Sequence, residues 1–200
     1  MPGKIFLMRH AEPHNPNNVM YGNLPGFLLN NIGINQAEEA GQFMNQYNLD
    51  LIVTSDFERT IQTGEIVAKN NPGHPQVKQD HRLREIGTDE WQGKITISEW
   101  ENNRMDYWQK QCEAKLNVEY PRDAQVRVAE AFNEYIQKYP DKNILFISHG
   151  DPLSFLIELL MDEELSPNPK ASSGKIEKAN IWEVTMQPKI TIKKIFKPSI

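Results

Sequence analysis

The sequence is poor in cysteine: Cys112 is the only one among 200 residues. A single thiol excludes both an intrachain disulfide and a cysteine-rich zinc site. The chain also lacks an apolar run of the roughly 20 residues that a membrane-spanning helix needs, and it does not open on a basic segment followed by a long apolar stretch. These absences predict a cytoplasmic protein with no membrane partner.

Positive charge is also scarce. Lys and Arg number 22 against 27 Asp and Glu, which gives a formal net charge of -5. Such a balance argues against a nucleic-acid partner, because that kind of partner needs an extended basic face. Spaced metal-ligand patterns such as H-E-x-x-H are missing as well. The sequence therefore predicts no metal and no other cofactor.

What the chain does contain is an ordinary share of core-forming residues. Hydrophobic residues make up 38% of the chain and charged residues 24%, which is typical of a globular domain of this length. We predict one domain over residues 1–200. The composition gives no indication of oligomeric state.

Short apolar runs alternate with longer amphipathic segments. Buried strands are predicted at Lys4–Met8, Leu51–Thr54 and Ile144–Ser148, with a weaker strand near Val77 and a final antiparallel hairpin over residues 181–186 and 190–196. Four helices are expected, over residues 31–47, 56–71, 123–139 and 152–161, the second of them capped by Ser55 or Asp56. This order predicts an α/β fold, a three-layer α/β/α sandwich with a mostly parallel sheet.

One segment does not fit the alternation. Residues 82–121 show no simple period and carry four large aromatic residues, Trp91, Trp100, Tyr107 and Trp108. We expect this segment to leave the sandwich and form a cap over the active site. We expect packing within this segment, rather than contact with a ligand, to be the main role of these aromatic residues.

Two predicted strands end on a histidine. Arg9 and His10 follow the first strand, and His149 and Gly150 follow the strand at 144–148. Ligands of parallel α/β sheets bind beyond the carboxyl ends of the strands. Two imidazoles and a guanidinium at one sheet edge are a costly arrangement unless they bind an anion, so we predict an anion site there.

The residues around these positions resemble the signatures of a known family, the histidine phosphatase superfamily, which includes phosphoglycerate mutases. Leu7–Glu12 (LMRHAE) is similar to its first-histidine motif, and Ser55–Thr63 (SDFERTIQT) to its S-x-x-x-R-[AT]-x-Q-T segment. Leu83–Glu85 with Trp91–Gly93 is similar to its L-x-E…W-E-G segment, and Ser148–Gly150 to its second-histidine motif. The motifs occur in the family's order between about residues 4 and 186.

The resemblance implies a role for each matching residue. His10 would be the nucleophile that forms a phosphohistidine, and Glu85 the acid that protonates the leaving group. Arg9, Arg59 and His149 would bind the phosphoryl oxygens, with His149 also catalytic and, when protonated, a charged donor. The implied substrate is a small phosphorylated molecule.

The chain departs from the family pattern at several positions. Ala11 replaces the glycine that usually follows the first histidine, and Pro16 occupies the place of an asparagine, so its neighbours Asn15 and Asn17 are the candidates for phosphate or rim contacts. Asp89 stands where the family has a glycine after the acid.

The acid and the overall activity both have alternatives at this stage. Asp89 and Glu90 lie close enough along the chain to share or replace the acid role of Glu85. The leading prediction is a metal-independent phosphatase acting on small phosphomonoesters. A phosphoglycerate mutase is one alternative, disfavoured because the chain lacks the mutase's basic patch, and a module that binds phosphorylated ligands without catalysis is the other.

Overall fold

A six-stranded sheet forms the centre of the computed structural model, which describes residues 2–88, 90–114, 119–166 and 176–199. The strand order is β3-β2-β4-β1-β5-β6. The strands are β1 Ile5–Arg9, β2 Leu51–Thr54, β3 Gln76–Gln79, β4 Ile144–Ser148, β5 Ile181–Thr185 and β6 Thr191–Phe196. The first four run parallel, and β5 and β6 form the antiparallel hairpin at one edge.

The described residues include five α-helices. They are α1 Asn31–Met44, α2 Glu58–Lys69, α3 Ile97–Ala114, α4 Pro121–Lys138 and α5 Gly150–Leu160, and short 3-10 turns lie at 45–47 and 81–83. The side chain of Asn30 caps α1 by accepting a hydrogen bond from the Gly33 N–H at 2.8 Å. No helix in these ranges is long and apolar enough to cross a membrane.

The helices cover the sheet from both sides. Side chains of α1 and α2 join one buried cluster against the sheet, and side chains of α4 and α5 join another on the opposite face. Strands β1, β2 and β4 are buried because each carries apolar residues toward both layers. The predicted three-layer sandwich with a mostly parallel sheet is confirmed.

The predicted cap of α2 is wrong. The helix begins at Glu58 after Phe57, and neither Ser55 nor Asp56 caps it. The Ser55 hydroxyl instead contacts His149, and the Asp56 carboxylate accepts two hydrogen bonds from Arg84 at 2.5 and 2.6 Å. Both side chains have stronger partners than the first N–H groups of the helix.

The segment 82–121 contains a helix that the sequence reading does not predict. Trp100, Tyr107 and Trp108 of α3 are buried in a third apolar cluster, and the Trp91 ring lies 4.3 Å from that of Tyr107. Arg104 shares this inward face and forms a two-point ion pair with Asp151 of α5, at 3.0 and 2.6 Å. An inward arginine interrupts the apolar period, which explains why the helix is not recognised.

Candidate active site

Three neighbouring strands end at one edge of the sheet. The residues that follow β2, β4 and β1 are Ser55, His149 and His10, in the spatial order of the strands. The His10 N–H donates to the Ser148 carbonyl at 3.0 Å, which extends the pairing of β1 and β4 by one step. The two imidazole rings consequently lie 5.2 Å apart, centre to centre.

His10 is fully buried and held in one tautomer. Its Nδ1 lies 2.8 Å from the Ala11 carbonyl, which can only accept, so Nδ1 carries the proton. Nε2 then has a lone pair, and it has no hydrogen-bond partner in the described part of the protein. Burial, together with the positive charges of Arg59 and Arg9, holds the pKa of His10 well below its usual range. The ring is therefore a neutral base with an available nitrogen.

The charges of two guanidinium groups, those of Arg9 and Arg59, act on the His10 ring. Arg9 donates from Nη1 to the Ile176 carbonyl at 2.9 Å, and Arg59 donates from Nη2 to the Gly22 carbonyl at 2.8 Å. The Nε of Arg9 and both Nε and Nη1 of Arg59 are buried without a hydrogen-bond partner among the described residues. Buried donors in folded proteins are nearly always satisfied, so these three mark a place for an acceptor.

Arg59 is unusually deep for an arginine, with no exposed surface. The rings of Tyr21 and Phe57 each lie 4.8 Å from its guanidinium carbon, and the electron-rich faces of aromatic rings attract a cation. Desolvation lowers the pKa of Arg59, although an arginine remains charged at any ordinary pH. The fold thus keeps a positive charge in a nearly water-free position.

His149 lies between Ser55 and Arg59. Its Nε2 is 2.8 Å from the Ser55 hydroxyl, and its Nδ1 is 3.2 Å from Nη2 of Arg59, which can only donate. Nδ1 is therefore the acceptor, and Nε2 carries the proton. Burial and the charge of Arg59 hold the pKa of His149 well below its usual range, so in this structure it is neutral rather than a charged donor.

Glu85 is half-buried at the start of the 82–121 segment. Burial and the nearby Asp151 carboxylate raise its pKa to about 7, while Arg9 and Arg59 oppose the rise. The Glu85 carboxyl accepts a hydrogen bond from the Ile86 N–H at 3.0 Å. A carboxylic acid that keeps its proton near neutral pH is suited to protonate a leaving group.

The other acidic candidates differ from Glu85. Glu90 is exposed and lies 3.7 Å from Lys94, at the surface of the same segment. Asp89 lies outside the described residues.

Within the described ranges, no group of three His, Cys, Asp or Glu side chains could hold a metal ion.

The structure does not bring Asn15 or Asn17 into the cluster around His10. The Asn15 amide is occupied by the Val19 backbone, accepting from its N–H at 3.1 Å and donating to its carbonyl at 2.8 Å. Asn17 and Pro16 are exposed. Asn15 stabilises the loop, and among the described residues neither asparagine side chain forms a hydrogen bond with Arg9, Arg59, His10 or His149.

Tyr21 belongs to the site but is not identified from the sequence. It is 7% exposed, and besides stacking on Arg59 its ring lies 6.4 Å from that of His10 in an edge-on arrangement. Burial raises the pKa of its hydroxyl, the Arg9 and Arg59 guanidinium groups oppose the rise, and the Glu85 carboxyl adds to it. A tyrosine in a long polar loop has no distinctive pattern, and its role depends on which side chains the fold brings beside it.

The sequence of the chain is similar to those of known proteins. The chain is 25% identical to the uncharacterized phosphatase PhoE of Bacillus subtilis over 177 residues, 88% of this chain and 84% of that protein. It is 31% identical to an uncharacterised protein of Mycobacterium tuberculosis over 65 residues, so the match spans about a third of that relative, 32% of each chain.

The fold of the whole chain is also found in solved structures. The structure of Bacillus stearothermophilus YhfR superposes with a TM-score of 0.81 at 24% identity, covering 98% of each chain. A family model described as the histidine phosphatase superfamily, branch 1, matches residues 5–189. The chain therefore belongs to the histidine phosphatase superfamily.

Proposed function

We propose that this protein hydrolyses small phosphomonoesters through a phosphohistidine intermediate on His10. The observation that carries the proposal is a set of four buried polar atoms without partners in the described structure: Nε2 of His10, Nε of Arg9, and Nε and Nη1 of Arg59. A nucleophilic lone pair on a ring that feels the charges of both arginines, together with three unpartnered donors of those arginines, matches a phosphoryl group, with its electrophilic phosphorus and anionic oxygens.

In the first step, the phosphoryl oxygens accept hydrogen bonds from Arg9 and Arg59 while His10 Nε2 attacks phosphorus. The bond from phosphorus to the ester oxygen breaks, and Glu85 transfers its proton to the departing alkoxide. The hydrogen bond from Nδ1 to the Ala11 carbonyl fixes the ring and stabilises the positive charge that develops on the imidazole. The alcohol leaves, and the phosphoryl group remains on His10.

In the second step, the Glu85 carboxylate accepts a proton from a water molecule as the water oxygen attacks phosphorus. The nitrogen–phosphorus bond breaks, and its electron pair returns to Nε2 of His10. Inorganic phosphate is released, and both His10 and Glu85 recover their starting protonation states. No metal or other cofactor takes part in either step.

We propose that His149 changes its protonation state when the phosphoryl dianion binds. In the structure its Nδ1 accepts from Arg59, and burial and positive charge keep it neutral. A bound dianion opposes the effect of those positive charges. His149 then takes a proton from solvent water on Nδ1 and donates that N–H to the phosphoryl group. The N–H of Arg59 Nη2 that faced Nδ1 turns to the same oxygens, while the other N–H of Nη2 stays on the Gly22 carbonyl.

We further propose that residues 82–121 form a cap on a single domain and that the protein acts in the cytoplasm. The two-point ion pair between Arg104 of α3 and Asp151 of α5 supports the cap. Asp151 lies two residues after His149, so the ion pair holds this segment close to the active site. Exclusion of water by a cap strengthens the electrostatic interactions inside an active site.

Phosphate release in the presence of a chelator tests the proposed function. The wild-type protein should release phosphate from p-nitrophenyl phosphate and from small alkyl phosphates, and His10→Ala should release none. His14→Ala is the matched control, since His14 is exposed in the loop after β1 and should keep wild-type activity. Phosphate release that persists in His10→Ala would refute His10 as the nucleophile. Conversion of 3-phosphoglycerate to 2-phosphoglycerate in place of hydrolysis would identify a mutase.

A further inference from the structure

Glu85 lies in a stretch of backbone that belongs to no helix or strand. The 3-10 turn at 81–83 ends two residues before it, and residues 85–88 have no regular structure. The hydrogen-bond ladders of helices and sheets therefore do not fix its position. An acid that delivers a proton to one particular oxygen atom needs a fixed position, so the support has to come from other groups.

Arg127 of α4 supplies much of this support. Its Nη1 donates to the carbonyls of Arg82 and Arg84, at 2.6 and 2.8 Å, and its Nη2 donates to the carbonyl of Glu85 itself at 3.2 Å. The one intervening carbonyl accepts from the Ser148 hydroxyl at 2.6 Å. Four consecutive carbonyls that end at the acid are thus bound by side chains from α4 and β4.

Glu119 orients the Arg127 side chain and extends the support beyond the acid. Its two carboxylate oxygens accept from Nε and Nη2 of Arg127, the latter at 2.8 Å, in a two-point ion pair. The oxygen that contacts Nη2 also accepts from the Gly87 N–H at 3.3 Å. The backbone is therefore bound on both sides of Glu85.

All five N–H groups of Arg127 have acceptors within the chain. Nε donates to Glu119, Nη1 to two backbone carbonyls, and Nη2 to Glu119 and to the Glu85 carbonyl. A guanidinium holds its five donors in one rigid plane, which suits it to fix several acceptors at once. Arg9 and Arg59 differ from Arg127, because some of their donors have no partner in the described structure. Two arginines can thus receive a ligand, whereas the third holds the backbone.

We propose that Arg127 is a positioning residue for the acid: together with Glu119 it fixes the backbone of residues 82–87, so that the Glu85 carboxyl faces the leaving oxygen. The inference rests on the proposed function and adds to it a residue that touches no substrate. Without Arg127, three carbonyls lose their donor and the acid is free to shift. A displacement of about 1 Å in an active site can cost about 10²-fold in rate.

Two esters separate positioning of the acid from general damage. Arg127→Met keeps an unbranched side chain and removes every donor. We expect it to lower kcat/KM for glycerol 3-phosphate about 10- to 100-fold. The value for p-nitrophenyl phosphate should fall less than about threefold, because the nitrophenolate ion leaves without a proton. The ratio of the two values does not depend on the fraction of folded enzyme, and effects on phosphoryl binding cancel in it.

A double variant tests whether the loss acts through the acid. Glu85→Gln has no proton to deliver, so the addition of Arg127→Met to it should lower kcat/KM for glycerol 3-phosphate by less than about twofold further. Losses that multiply in the double variant would show that Arg127 acts on the structure in general, and they would overturn the inference. The proposed function would stand, since Glu85→Gln alone measures the role of the acid.

A matched control and a milder variant complete the design. Arg122→Met makes the same change at an exposed position of α4 and should leave both esters unchanged. Arg127→Lys keeps the charge but lacks the planar fork, so we expect the same selective loss to a smaller degree. It takes the place of Arg127→Met throughout if that variant does not fold.

The remaining outcomes also decide the question. Equal losses on the two esters in the Arg127 variants, or no loss on either, overturn the inference. An equally selective loss in Arg122→Met does so too, because that side chain does not hold residues 82–87. Absence of phosphate release from both esters by the wild-type protein refutes the proposed function, and the inference fails with it.

Discussion

The strongest prediction concerns the proton on Glu85. With its ordinary pKa of 4.5, about 0.3% of this carboxyl would be protonated at pH 7, whereas with a pKa of about 7 about half of it is. Its surroundings therefore raise the population of the acid form by about 150-fold. Because the proposed mechanism requires the acid form, we expect kcat/KM to fall as the pH rises through about 7.

Substitution of Glu85 can distinguish proton donation by its carboxyl group from the space that its side chain fills. Glu85→Gln keeps the size of the side chain but cannot supply the proton. An alkyl phosphate such as glycerol 3-phosphate should lose about 10²- to 10⁴-fold in kcat. p-Nitrophenyl phosphate should lose less than about tenfold, because the nitrophenolate ion leaves without a proton.

Steady-state kinetics with both esters across pH 5 to 9 would measure these effects, with Glu90→Gln as the matched control. Glu90 is exposed, so its loss should change neither ester. Equal losses on the two esters in Glu85→Gln would refute the assignment of Glu85 as the acid. A pH profile for the alkyl ester with no decrease above pH 7 would refute the raised pKa.

Two further substitutions probe the groups around these residues. Asp151→Asn removes a negative charge that raises the pKa of Glu85 and leaves Arg104 without that carboxylate, so the fall in kcat/KM should move about one pH unit lower; an unmoved profile contradicts this. Gly150→Ala would place a Cβ 3.2 Å from the guanidinium carbon of Arg9, and we expect about tenfold lower kcat/KM with an unchanged melting temperature. Full activity in Gly150→Ala would show that Arg9 tolerates displacement.

The parts of the fold that follow from short-range patterns are predictable from the sequence. β1 and β4 are short apolar runs that end on polar residues. A run of this kind is typical of a strand that is buried on both faces of a parallel sheet. The position of His10 and His149 at one sheet edge follows from the parallel pairing of these strands. The tendency of asparagine side chains to cap helices likewise locates the start of α1 at Asn30.

The parts that depend on distant partners are not predictable in this way. Arg104 turns inward on α3 because Asp151, 47 residues later, supplies its counter-charge. Ser55 does not cap α2 because its hydroxyl contacts Nε2 of His149 at 2.8 Å. Tyr21 enters the site because Arg59 stacks on its ring, and none of these pairings leaves a trace in local composition.

Arg9 and Arg59 have donors without a partner among the described residues, and these donors bear on how the proposed phosphatase would respond to its product. Buried cationic groups with unmet hydrogen bonds destabilise the folded chain, and an anion that satisfies them binds the folded state alone. Inorganic phosphate should therefore raise the melting temperature and inhibit turnover over the same concentration range, by mass action. In the proposed mechanism the side chains that bind the substrate's phosphoryl group also delay the departure of phosphate, so tight binding and rapid release are opposing demands on a single pair of arginines.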